Sequence, residues 1–401
     1  MPRVNVLFLT HRLPYAPNRG DRVRAYFMLR ELRRHADVTL VSLVHDDEEA
    51  SHASSSSLRD LASTTYVVRV PAWRNRIRSL AALPTQRPTT HTMLDAPELR
   101  STIAAAVATS PPDVVFAYCS GIAPCALEPP LAERPLVIDM VDVDSAKWSA
   151  LAAVTRWPLS SIYRREARTL RAFEAIVSAR AIATLITTTR EAETLRSIAP
   201  DARVHVIENG VDVASLQPRT PPAPSSDVVF CGVMNYAPNE QAVLWLARSI
   251  WPRVRARRSD ATLTIVGSHP TRAIASLASD AQGIRITGAV PDVRPYLWRA
   301  AVAVAPILTA RGIQNKVLEA VAAGLPTVVT PNIMSSLPAT IADACVAGDT
   351  ADALADAIVG LLEQSPEQRR ALAARARVDA LTWERQLAPV AAILAEAAGR
   401  R

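Results

Sequence analysis

Short apolar runs alternate with helix-length segments along this chain, stop at a proline-rich stretch, and then begin the same alternation again. In the first half the apolar runs fall at 4–10, 38–45, 65–70, 113–119, 136–141, 183–188 and 204–208. Helical stretches lie between them, at 22–34, about 96–109 and 145–179. Continuous apolar runs separated by helices predict a parallel sheet covered on both faces. The segment Pro218-Arg-Thr-Pro-Pro-Ala-Pro-Ser-Ser226 places four prolines in nine residues, which no element interior tolerates. It predicts a linker. Beyond it, strands are expected at 227–231, 261–266, 284–287, 302–306 and 326–330. Helices are expected at 240–251, 272–280, 293–300, 315–323 and 352–363. The expected division is a first domain over 1–217, the linker 218–226, a second domain over 227–382, and an apolar C-terminal helix at 383–401 able to pack back on the first domain. The fold class expected is α/β, with two Rossmann-like doubly wound domains facing a cleft and ligands at the carboxyl ends of the strands.

Composition narrows the function. The net charge of +7 favours anionic partners, such as nucleotides, lipid phosphates or an anionic membrane. Aromatic residues make up 5%, and no nucleic-acid module is present, which argues against nucleic acid. No stretch reaches the ~18–20 uninterrupted apolar residues of a membrane helix. The first residues lack the pattern of a signal peptide. Cys119, Cys125, Cys231 and Cys345 show neither Cys-x-x-Cys spacing nor a neighbouring histidine, as expected for reduced thiols in a cytoplasmic protein.

Two scarcities carry more information. Only Lys147 and Lys316 among the 45 basic residues are lysine. Biased codon usage explains the arginine excess but not the two survivors, since arginine cannot replace lysine where a compact, flexible charge is needed. Glycine is also scarce, with 12 residues. Gly232, Gly267 and Gly288 each follow a predicted strand, Gly20 and Gly312 precede helices, and Gly324 ends one. Gly324 and Gly210 suit ordinary turn or cap chemistry. Gly232, Gly312 and Gly20 are read as points where a ligand approaches the backbone.

The richest segment is Thr309-Ala-Arg-Gly-Ile-Gln-Asn-Lys-Val-Leu-Glu-Ala-Val-Ala-Ala-Gly-Leu-Pro326. A glycine-containing turn opens a helix there, and free N–H groups with the positive end of the dipole form an anion site. Lys316 in the first turn opposes that dipole, which makes sense opposite a diphosphate. Glu319 lies on the same face and can accept two hydrogen bonds from a ribose diol. The competing reading is an intrahelical Lys316–Glu319 pair of a few tenths of a kcal/mol.

This segment resembles the signature region of retaining family 4 glycosyltransferases of the GT-B fold. Further matches are Val206-Ile-Glu-Asn-Gly-Val-Asp212, Phe230-Cys-Gly232, Ile265-Val-Gly267 and Thr287-Gly-Ala-Val-Pro-Asp-Val-Arg-Pro-Tyr296. Thr10-His-Arg-Leu-Pro-Tyr-Ala-Pro-Asn-Arg-Gly-Asp-Arg-Val-Arg24, Asp139-Met-Val-Asp-Val-Asp-Ser-Ala-Lys-Trp148, Met234-Asn-Tyr-Ala-Pro-Asn239 and Arg311-Gly-Ile-Gln-Asn-Lys316 are similar to segments of the sugar transferases of PEP-CTERM/exosortase and exopolysaccharide loci. The resemblance implies a hexosyltransferase-like enzyme acting on a nucleoside-diphosphate sugar and a glycan or lipid-linked acceptor. It implies retention of configuration and neither metal nor cofactor. The implied donor-binding residues are Gly20, Asp21, Gly232, Asn235, Arg311, Gly312, Asn315, Lys316 and Glu319. Asp142 or Asp144 would position the acceptor hydroxyl, with Lys147 as an anion contact. Three aspartates (Asp139, Asp142, Asp144) could also suggest a divalent ion, which the resemblance argues against.

Two departures from the family pattern stand out. Arg311 occupies the place of the first glutamate in the family's Glu-x7-Glu, whose second is matched by Glu319. The loop after Phe230-Cys-Gly232 carries no cation, so Lys316, Arg311 and the 312–315 amides are expected to take over phosphate binding. Rival readings are a GT-B nucleotide-sugar epimerase and a catalytically inactive nucleotide-sugar-binding subunit. The segment Pro71-Ala-Trp-Arg-Asn-Arg-Ile-Arg-Ser-Leu-Ala-Ala-Leu83 is basic with apolar positions. It fits an anionic membrane face or a solvated loop-helix equally.

Overall fold

The computed structural model describes residues 3–15, 20–218, 224–309 and 314–399. Two compact units result: residues 1–208 with 386–401, and residues 209–385.

The first unit is built on seven strands, β1 (Val4–Thr10), β2 (Ala36–Val44), β3 (Thr64–Arg69), β4 (Val114–Tyr118), β5 (Leu136–Val141), β6 (Ala183–Ile186) and β7 (Val204–Val206). Their order is β3-β2-β1-β4-β5-β6-β7, all parallel. β4 is buried along its whole length, which explains why its sequence is a continuous apolar run rather than an alternating one. Four helices matter below: α1 (Gly20–His35), α2 (Ala72–Ala82), α3 (Asp144–Val154) and α4 (Leu159–Arg180).

The second unit repeats the design with β8 (Asp227–Cys231), β9 (Thr262–Val266), β10 (Ile284–Ile286), β11 (Val302–Ala305), β12 (Thr327–Val329) and β13 (Cys345–Ala347), in the order β10-β9-β8-β11-β12-β13. Its relevant helices are α5 (Ala237–Trp245), α6 (Asn315–Ala322) and α7 (Ala351–Glu363). Its core includes Phe230, Trp251, Val302, Val328 and Ile358, all without solvent exposure. The C-terminal helix α8 (Pro389–Ala398) packs with α1, β4 and β5 of the first unit.

Four departures from the sequence reading concern the elements above or the division into units. The helix expected over 145–179 is two helices, because Pro158 lacks an N–H and restrains Trp157 before it. The short strand β13 was not anticipated; three residues are too few for a periodicity. The helix expected over 272–280 closes at Ala275. Finally, the units divide at 208/209, ahead of the proline run. Val211 bridges to Thr382, its N–H donates to the Leu381 carbonyl at 2.7 Å, and Trp298 Nε1 donates to the Leu216 carbonyl at 2.6 Å. These bonds tie residues 209–217 to the second unit. Among the described residues, no helix is long and apolar enough to cross a membrane.

Candidate functional site

In each sheet the strand order reverses at one place, β1/β4 in the first and β8/β11 in the second. Neighbouring connections there leave to opposite faces and open a crevice at the carboxyl ends of the strands.

In the second unit three glycine turns line that edge. The Gly232 N–H donates to the Val266 carbonyl at 3.0 Å, and the Gly267 N–H donates to the Gly288 carbonyl at 3.2 Å. A Cβ on Gly232 would lie 2.8 Å from Asn239 Nδ2 and 3.1 Å from Lys316 Nζ. Gly232 thus lets the backbone approach the lysine of α6. Lys316 Nζ donates to Asn239 Oδ1 at 2.5 Å and lies 4.7 Å from the centroid of the Phe230 ring. Asn239 is buried and fixed by its Nδ2 donating to the Val233 carbonyl at 2.9 Å.

The intrahelical hydrogen-bonded pair of the competing reading is not formed, since Lys316 reaches Asn239 instead. Burial lowers the Lys316 ammonium to about 8, with Cys231 and Glu319 opposing that fall. Burial raises the Glu319 carboxyl to about 7, with Lys316 opposing that rise. Glu319 has no hydrogen-bond partner among the described residues. Cys231 is pushed up to about 12, chiefly by burial, and is an inert thiol. Gln314 precedes α6 without a side-chain cap, and Asn315 accepts from Asn209 Nδ2 at 3.1 Å. Among the described residues the arrangement offers one cation, one carboxylate without a hydrogen-bond partner and a helix start with no side-chain cap, which suits a ligand carrying phosphates and hydroxyls.

Lys316, Gly232, Asn315 and Glu319 therefore share one edge. Asn235 does not join them: it is exposed on the turn between β8 and α5. Asn239, in the same motif, takes the place beside Lys316. Only the turn geometry separates the two asparagines, and it sets Asn239, not Asn235, beside Lys316. Asn209, within Val206–Asp212, was also missed. Arg311 and Gly312 lie outside the described residues. Gly20 and Asp21 open α1, and their side chains lie outside the description.

In the first unit Lys147 Nζ lies 3.0 Å from Asp142 Oδ2 and 3.4 Å from Asp144 Oδ1. Burial opposes its charge, but the two carboxylates outweigh that and hold the ammonium above its ordinary value. Ser120 Oγ donates to Asp144 Oδ2 at 2.5 Å, and Thr187 Oγ1 lies 3.2 Å from Asp142 Oδ1. Val141 carries φ of 65° and Cys119 φ of 71°, unusual values that cost about 1–3 kcal/mol each. Val141 is held there from both sides: its N–H donates to Asp139 Oδ1 at 3.1 Å, and Thr187 Oγ1 donates to its carbonyl at 2.8 Å. The strained turn directs Asp142 and Asp144 off the sheet edge.

Asp139 stands apart from them. It is fully buried and paired with Arg24, with Arg24 Nε donating to Oδ2 at 2.8 Å. Among the described residues no group of three His, Cys, Asp or Glu has metal-holding geometry. Glu49 was also missed. It is fully buried and accepts from the N–H groups of Leu13 and His45, both at 2.9 Å, with Arg12 and Arg22 as ionic neighbours. Nothing in the acidic run 46–49 distinguishes it.

Residues 225–364 match the family model Glycosyl transferases group 1. The chain is also similar in structure to sucrose-phosphate synthase from Thermosynechococcus elongatus, with 17% identity, TM-score 0.73, and 98% and 99% of the two chains covered. Anabaena HepE, solved with UDP and glucose, gives 14% identity, TM-score 0.67, and coverage of 98% and 100%. WaaG, a glycosyltransferase involved in lipopolysaccharide biosynthesis, gives 18% identity, TM-score 0.65, and coverage of 97% and 98%. The fold is GT-B. A search of curated protein sequences found no match. Within this GT-B chain the matched segment contains Gly232, Asn239, Lys316 and Glu319 but not Asn209.

Proposed function

We propose that this chain transfers a glycosyl group from a nucleoside-diphosphate sugar to a hydroxyl of a glycan or lipid-linked acceptor. The bond between the anomeric carbon and the diphosphate breaks, a new one forms to the acceptor oxygen, and nucleoside diphosphate and a proton are released. The observation that carries this reading is Lys316, held by the neutral Asn239 amide, beside Glu319, which has no hydrogen-bond partner among the described residues, both at the switch point of the second sheet and both disfavoured as charges by burial. A diphosphate would give Lys316 an anionic partner, and a ribose diol would give Glu319 hydrogen-bond donors. The family match and the UDP and UDP-glucose bound to HepE support the same donor class.

In this reading the α6 amino end, Lys316 and the sequence neighbours Arg311 and Gly312 hold the diphosphate. These fixed charges and dipoles stabilise the leaving group without a metal ion. Gly20 and Asp21 complete the donor site. Asp142 or Asp144 orients the acceptor hydroxyl and Lys147 contacts an anionic group. Retention of configuration and a role in exopolysaccharide assembly follow from the sequence resemblance.

A panel of nucleotide sugars tested by thermal stabilisation identifies the donor, and product analysis with and without acceptor tests the reaction. Product formed only with acceptor supports transfer; isomerised donor without acceptor supports an epimerase instead. Glu319→Gln is expected to weaken the best donor about 10- to 100-fold, the value of a charged hydrogen bond. It should also flatten the rise in affinity through pH 7 that ionisation of Glu319 imposes. Unchanged affinity and an unchanged pH profile would place the ribose elsewhere.

A further inference from the structure

Helix α2 presents its apolar residues outward. Trp73, Ile77 and Leu80 are 67%, 61% and 67% exposed. Their i, i+4, i+7 spacing makes them one stripe. The opposite face holds the buried Asn75 and Ala82. Asn75 Nδ2 donates to the carbonyls of Met93 at 3.0 Å and Asp95 at 2.7 Å, which fixes the helix in this rotation. Surface helices of soluble domains turn their apolar stripe inward, so this one is inverted.

The helix itself carries charge of one sign, although Arg78 on it pairs with Asp95 of a neighbouring segment. The helix contains no acidic residue, and at about 100° per residue Arg74 and Arg76 flank the stripe on its two sides. The Arg74 guanidinium lies 5.5 Å from the Trp73 ring centroid. A groove of about 610 Å³ at the amino end of the helix is lined by Arg69, Arg74 and Arg76 with one acid, Glu98, and Arg69 there pairs with Asp47. An apolar stripe with tryptophan, bordered by arginines, matches the headgroup boundary of a bilayer containing acidic lipids. A second copy of the chain would bring these arginines against their own kind. Three side chains also cover far less than the ~800 Å² per partner of a stable protein interface.

We propose that α2 docks on an anionic lipid bilayer, with Trp73, Ile77 and Leu80 at the acyl boundary and Arg74 and Arg76 on lipid phosphates. The test is cosedimentation of the full chain with vesicles of phosphatidylcholine mixed with phosphatidylglycerol, and with phosphatidylcholine alone. The protein is expected to bind the mixed vesicles and to release them at high salt. Removing both arginine charges (Arg74→Gln with Arg76→Gln) should weaken binding about 30-fold. Trp73→Ser, Ile77→Ser and Leu80→Ser together should weaken it at least as much. These side chains are exposed, so the variant should keep its melting temperature, checked by circular dichroism. Equal binding by the apolar variant, equal binding to neutral vesicles, or no binding at all would overturn the proposal. So would lipid-free self-association that the apolar variant abolishes, which would assign the stripe to a second copy.

Discussion

Alanine at Gly267 is expected to unfold the second unit or lower its melting temperature by about 8 °C or more. The added methyl would sit 1.6 Å from the Gly232 carbonyl oxygen. Both partners are backbone, so no side chain can turn away. The pairing of Cys231 with Val266 and the hydrogen bond from Gly232 to the Val266 carbonyl set the spacing between the two turns. Relief therefore requires breaking the β8–β9 edge. The residue also has φ of +153°, which side-chain-bearing residues rarely adopt. A penalty above about 4 kcal/mol belongs to the extreme of single substitutions. Each kcal/mol lowers the melting temperature by about 2–4 °C in a unit of this size. Calorimetry should show the second unit's transition moving while the first unit's stays. Gly360→Ala is the control. It lies within α7 with nothing within 4 Å of its added methyl, so it should stabilise by about 0.5–1 kcal/mol. Equal melting of Gly267→Ala and the unaltered chain would show that the two turns do not meet as described.

Lys316→Met is expected to reduce donor affinity by ~30-fold to several thousand-fold, while raising the stability of the empty protein. Removing one charge from a desolvated pair costs about 2–5 kcal/mol of binding. The stability gain follows from linkage. Lys316 falls from an ordinary 10.5 to about 8 on folding, so between these values the unfolded chain binds more protons and stability rises with pH. Glu319 moves from 4.5 up to about 7, so its contribution is present at low pH and is lost as pH rises through 7. Between about 7 and 8 both groups are charged and both oppose folding. A bound diphosphate relieves the lysine, so donor binding should weaken as pH rises above 8. The variant should melt higher than the unaltered chain near pH 7.5 without donor and lose most of the donor-induced shift. A variant that melts lower and binds normally would make Lys316 a structural residue.

The alternation of apolar runs and helices is legible because strand and helix impose different lengths and periods on neighbouring residues. Both sheets follow from it, and so does their parallel pairing. The place of Lys316 and Glu319 on one edge of the second sheet was legible, because the segment that opens α6 follows a strand in the sequence. A lysine at a helix start in a chain nearly free of lysine opposes the dipole, which is why a ligand is proposed beside it. Which of Asn235 and Asn239 meets Lys316 was not legible, because it depends on how the turn after Gly232 folds. The same is true of Glu49, acidic like its exposed neighbours 46–48 but buried and met by the N–H groups of Leu13 and His45. The end of the first unit was placed too late because the proline run is a local signal. The bond between Val211 and Leu381 joins residues far apart in the chain. Sequence alone determined which elements form and in what order, since those depend on short-range propensity and periodicity. Tertiary structure decided which of several like residues are buried and which partners they meet, because desolvation and hydrogen bonding act only after distant segments come together.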